Sequence, residues 1–194
     1  MILDLLVTVQ QKLGYPELQK IDPNTQQVVE DDATPDEHKF SQAAIPAVLT
    51  ALYNYVQSDE GAAEVLQSDE TTQWLPKIFN ENRQEAVQKI SAYAKQSNAD
   101  PLFKINSIAH EAVKLVKEHL PANAVPADVK LFMNTQKQTI LLYLPASLNM
   151  GELLNDNTLD DATNKMEGPI SSLMQTIGSA FSNTTTDTDV KKQE

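Results

Sequence analysis

Residues 107–121, SIAHEAVKLVKEHLP, hold two of the three histidines of this chain, with Glu111 directly after His110. Zinc peptidases use this pairing, with a second histidine four residues after the first so that both imidazoles reach one ion. His110 and His119 are nine residues apart. At about 100° per residue, they leave a helix on opposite sides. Lys114 stands where the second ligand should be, and its ammonium repels a divalent cation. The same letters make an ordinary amphipathic helix. Ile105, Ile108, Ala109, Ala112, Leu115, Val116 and Leu120 recur at three- and four-residue steps. Glu111 with Lys114 and Lys114 with Glu118 form favourable charge pairs along the opposite face.

Other chemistries fail on spacing too. A di-iron bundle needs Glu three residues before His, but Pro35, Ser107 and Val116 stand there. Residues 156–167 have the length of a calcium loop, with Asp160 fifth and Glu167 twelfth, yet Asp161 replaces the glycine that its sharp turn needs. Thr158 reads better as a helix cap, with Asp160 and Asp161 at the positive end. The acidic residues of 30–37 read as a solvated loop, since no second feature pairs two carboxylates for acid/base work. No phosphate-cradling glycine loop and no serine-hydrolase elbow occurs. The absence of cysteine removes thiolate metal sites, disulfides and cysteine nucleophiles. We therefore assign no catalytic, metal-binding or cofactor-binding residue from sequence, and no cofactor.

Five glycines and sparse aromatics leave little material for an all-β fold, while plentiful Ala, Leu, Gln, Lys and Glu favour helices. Residues 2–13 suit a first helix stopped by Gly14. Thr34 caps a second, with Pro35 in its first turn and Glu37 closing a capping box. This helix carries Phe40, Ala44, Ala47, Val48, Ala51, Leu52 and Tyr55 on one face, and Pro46 predicts a kink. Ser58 and Asp69 cap two short helices, residues 82–97 form another, and Asp100-Pro101 starts the helix that holds the histidines. Pro126 opens the next. The apolar run 139–148 reads as a buried helix in preference to a strand. Gly168-Pro169 breaks the segment 158–181, which presents Leu173, Ile177 and Phe181 along one side. The expected fold is an all-α, irregular multi-helix bundle: a single helical domain over 1–182 and a disordered polar tail over 183–194. Ile45-Pro46-Ala47-Val48-Leu49 echoes Leu144-Pro145-Ala146-Ser147-Leu148, which leaves open two related halves, 1–98 and 99–182.

A net charge of −12, with no basic run longer than Lys191-Lys192, argues against nucleic acid and anionic lipid as partners. Phe40 to Ser58 carries no charge, but Gln42, Pro46, Thr50, Asn54 and Gln57 interrupt it, so no integral membrane span is expected. MILDLLVTV lacks the basic start and cleavage site of a signal peptide, and a cytoplasmic location is the default.

AAIPAVLTALYNYVQSDEGAAEVLQ, with its GAA-x-x-L turn, and GPISSLMQTIGSAF resemble the YidB-like bacterial proteins of unknown function. The resemblance implies a helical, cytosolic, bacterial protein without an assigned activity, and it brings no site residues with it. The functional expectation is a non-enzymatic module for protein–protein contact or self-association, with Leu173, Ile177 and Phe181 as the candidate partner face. Two alternatives stand beside it. One is an enzyme or small-ligand binder whose site draws on Trp74, Tyr93, Tyr143 and the histidines. The other is peripheral membrane association through 40–58 or 170–181.

Overall fold

The uncharged run from Phe40 becomes most of the longest helix among the described residues, and that helix is the axis of the fold. The structure is a computed structural model that describes residues 3–28, 34–95 and 101–160. It is all-α, with no strand among those residues. Its helices are α1 (Leu5–Lys12), α2 (Asp36–Tyr55), α3 (Asp59–Gln67), α4 (Trp74–Phe79), α5 (Arg83–Ala94), α6 (Pro101–His119), α7 (Pro126–Leu141) and α8 (Met150–Leu154). Short 3-10 turns lie at Asn80–Asn82, Ala146–Leu148 and Asn157–Leu159.

Every residue of α2 from Lys39 to Tyr53 is buried, because α1, α4, α5, α6, α7 and α8 all pack around it. A helix covered on all sides needs partners for its polar groups, and it has them. Gln42 Oε1 accepts from the Gln19 amide at 2.8 Å. Gln42 Nε2 donates to the carbonyls of Gln19 at 2.9 Å and Tyr143 at 3.0 Å. Thr50 Oγ1 donates to the Pro46 carbonyl at 2.7 Å, one turn back. Gln42 and Thr50 are therefore internal struts, and the apolar surface of 40–53 is spent on the core. It offers no face to a membrane. No helix among the described residues is long and apolar enough to cross one.

Several helix starts differ from the sequence expectation. Asp4 caps α1 through the Val7 amide at 3.0 Å, and Ser58 caps α3 through the Gly61 amide at 2.9 Å. Thr34, however, lies one residue too early. Pro35 stands at the cap position of α2 without a side-chain acceptor, and Asp36 and Glu37 supply the favourable first-turn charge. Asp69 holds the Thr71 amide at 2.9 Å and so caps a turn, and α4 starts only at Trp74. The run 139–148 is neither one helix nor a strand: α7 ends at Leu141, and Pro145 precedes a 3-10 turn. The second Pro-Ala motif thus adopts a conformation unlike the first, which lies inside α2. Thr158 sits within a 3-10 turn capped by Asp156, and the helix expected after it lies outside the described residues. Residues 161–194, including Leu173, Ile177, Phe181 and the tail, lie outside the described residues.

The α6 stripe matches its spacing. Ile105, Ile108, Ala109, Ala112, Leu115 and Val116 are buried, joined by Val113, while Leu120 is half-buried. Each large aliphatic side chain so buried contributes roughly 1.5–3 kcal/mol. That anchors one side of α6 and leaves the other, charged side facing out.

Candidate functional site

The outward side of α6 does not face open water along its whole length. From Phe103 to Glu118 it forms one wall of a shallow groove of about 580 Å³. The opposite wall is the end of α1 at Leu13 and the loop from Ser68 to Glu70. Trp74, 1% exposed, lies beneath as the floor. The groove follows four turns of α6, about 22 Å at ~1.5 Å per residue.

Local sequence explains each part. Asp69 draws the loop into a tight turn: its Oδ1 accepts from the Thr71 amide, from Thr71 Oγ1 at 2.7 Å and from Thr72 Oγ1 at 3.3 Å. The Thr71 hydroxyl and amide, followed by the Thr72 groups, hold the Asp69 carboxyl below its ordinary pKa. The turn delays α4 so that Trp74 starts it, pointing into the core under α6. Tyr55 meets the indole edge-on from the far side, with centroids 6.5 Å apart at 80°. The loop is tied to α6 where Lys117 Nζ donates to the Ser68 carbonyl.

Charge is uneven along the walls. Asp69, Glu70, Glu111 and Glu118 oppose Lys114 and Lys117. Lys114 lies 4.0 Å from Glu118, and Lys117 is engaged by Ser68. Glu70 and Glu111, on facing walls, have no ion-pair partner among the described residues. At the open end of the groove Phe103 is 71% exposed and its neighbour Leu102 48%. Because the two are neighbours, they form one exposed apolar patch at the start of α6, and it is a contiguous patch that marks a contact surface.

A second depression, about 520 Å³, lies between α3 and α4 and includes Tyr55, Lys77 and Asn80. At its edge Glu64 Oε2 accepts from the Tyr55 hydroxyl and from Lys77 Nζ at 2.7 Å. Burial, and then the Glu64 carboxylate, raises the Tyr55 phenol above its ordinary value. The Lys77 ammonium, and then the Tyr55 hydroxyl, lowers Glu64. A phenol held protonated and a carboxylate already accepting two donors make a clamp. Neither is poised as a general base. Asn80, at φ 49° and ψ −130°, closes α4 in a backbone region that favours glycine.

The residues singled out for a distributed site are only partly brought together. Trp74 and His110 share the α6 groove. His119 packs instead on Phe132, with ring centroids 5.5 Å apart. His38 Nε2 donates to the Glu17 carbonyl at 2.8 Å. Tyr143 lines a separate hollow with Gln10 and Glu17, and Tyr93 packs half-buried against the core. Among the described residues no three His, Asp or Glu side chains converge as metal ligands. Asp156 turns its carboxylate onto Thr158, and Asp160 Oδ2 accepts from the Glu152 amide at 3.1 Å. Helical periodicity alone places the charged face of α6 in solvent and gives no hint of its facing wall. Phe103, breaking the polar face at the start of α6, is the one available signal.

No protein-family model matches the chain, and no curated protein and no solved structure matches it.

Proposed function

We propose that the protein is a non-enzymatic docking module whose α6 groove receives a segment of a partner protein. One observation carries the reading: an exposed aromatic, Phe103, stands at the mouth of a shallow, apolar-floored groove that follows four turns of a helix. A trough of that length suits an extended or helical segment laid along it. The resemblance to YidB-like proteins supplies no activity to add, and the Tyr55–Glu64–Lys77 cluster is a clamp. The absence of cysteine makes a direct test simple. A benzophenone placed through Ser107→Cys should cross-link to a discrete protein in a lysate of the native host. The same label at Leu131→Cys, on the exposed side of α7, should give none of that adduct. Equal adducts at both positions, or none at 107, would count against the groove.

A second reading has its own observation: Trp74 and His110 both line the groove, a combination suited to a small aromatic ligand. Trp74 is the only tryptophan, so its emission reports on both readings. A low-molecular-weight fraction of the host lysate that shifts it in place of any protein fraction would favour the small ligand.

A further inference from the structure

The walls of the groove also specify the chemistry of its occupant, and this inference rests on the docking reading above. Of the four carboxylates there, Glu118 is balanced by Lys114, and Asp69 is engaged by its own threonines. Glu70 and Glu111 both line the groove, and neither forms an ion pair with a cation of the described residues. Lys117 gives one of its three N–H donors to the Ser68 carbonyl and keeps its charge, so four carboxylates against two ammoniums leave the lining net negative by two. The rest of the molecule strengthens this sign, since its net charge is −12.

We infer that the groove takes a cationic amphipathic segment of another protein, with apolar side chains against Leu13 and Phe103, above the buried Trp74, and Lys or Arg side chains toward Glu70 and Glu111. An acidic segment would meet two unbalanced carboxylates and the field of the whole chain. Charge complementarity of this kind selects partners and speeds encounter more than it adds affinity. A second copy of this chain is a poor occupant, because both copies carry a net charge of −12 and repel each other.

The test uses two synthetic helical peptides with identical leucine faces, one with lysine and one with glutamate on the polar face. Binding is followed by peptide anisotropy and by Trp74 emission, at low and high salt. The lysine peptide should bind at least about tenfold more tightly at low salt, with the gap narrowing as salt screens it. Phe103→Ser should abolish binding and Leu131→Ser should not. The pair Glu70→Gln and Glu111→Gln should bring the two peptides within about threefold of each other. Equal, Phe103-dependent binding of both peptides would leave the groove standing and overturn the cationic partner. Lysine-peptide binding indifferent to Phe103→Ser would show attraction to the acidic surface at large, and would overturn the inference, as would binding of neither peptide. A dimer in sedimentation that Phe103→Ser dissolves would make the occupant a second copy and overturn it too.

Discussion

Lys117 donates its ammonium to the backbone carbonyl of Ser68, 49 residues earlier in the chain. This bond ties the loop to α6 across the groove, between the α3 and α4 contacts that flank it. Lys117→Met keeps the aliphatic stem and removes the donor. It should cost about 1 kcal/mol of stability. It should also shift Trp74 emission to longer wavelength as the loop loosens over the indole. An unchanged emission spectrum would mean that the loop keeps its place over the indole without this bond.

Floor and mouth of the groove should separate in their effects. Trp74→Ala empties a buried site and should destabilise by about 3–5 kcal/mol in urea unfolding. Phe103→Ser alters an exposed side chain and should stay within about 0.5 kcal/mol. A large loss from Phe103→Ser would show that the ring serves folding and would remove it as a docking residue.

The clamp at Glu64 has a signed pH dependence. Its carboxyl is held below the ordinary value of 4.5, so the stability it adds is full above that value and is lost as pH falls through the lowered one. The Tyr55 phenol is held above its ordinary value of 10.0, so its contribution is full below pH 10.0 and fades as pH rises toward the raised value. Urea midpoints should therefore drop in acid and again in strong alkali. Tyr55→Phe should lower the plateau by about 1–2 kcal/mol and flatten the alkaline fall. An alkaline fall of undiminished slope in Tyr55→Phe would assign it to other groups.

Two backbone positions should respond in opposite directions. A Cβ at Gly61 would stand 2.2 Å from the Tyr55 carbonyl oxygen and 2.9 Å from Ser58 Oγ. Gly61→Ala should therefore cost roughly 1–3 kcal/mol by forcing α3 off the end of α2. Asn80 already occupies a conformation suited to glycine. Asn80→Gly should stabilise by up to about 1 kcal/mol by relieving that strain. Both are read from denaturant midpoints, and a stabilising Gly61→Ala would contradict the close approach of α2 and α3.

Helical periodicity makes the fold class and the buried stripe of α6 legible in the amino-acid sequence, because both depend only on neighbours three and four residues away. The central place of α2 is less legible. Gln42 and Thr50 look like a wet face; Thr50 finds the Pro46 carbonyl within its own helix, but only Gln19 and Tyr143, brought up by the fold, give Gln42 its partners. The groove is hidden for the same reason. His110, Glu111 and Lys114 lie close together on α6, but their facing wall at Ser68 to Glu70 comes from a turn some 40 residues away. The turn itself is ambiguous because Asp69 has two local uses for its carboxylate, a helix cap or an Asx turn, and sequence does not choose between them. The zinc-like letters of α6 yield to angle alone: His110 lines the groove, while His119 packs on Phe132.

The most direct test of the docking account is the yield of the Ser107→Cys benzophenone adduct with and without Phe103→Ser, in a lysate of the native host. The account predicts a discrete protein adduct whose yield falls at least about tenfold with Phe103→Ser while the urea midpoint is unchanged. An adduct of the same size and yield in both proteins would contradict it.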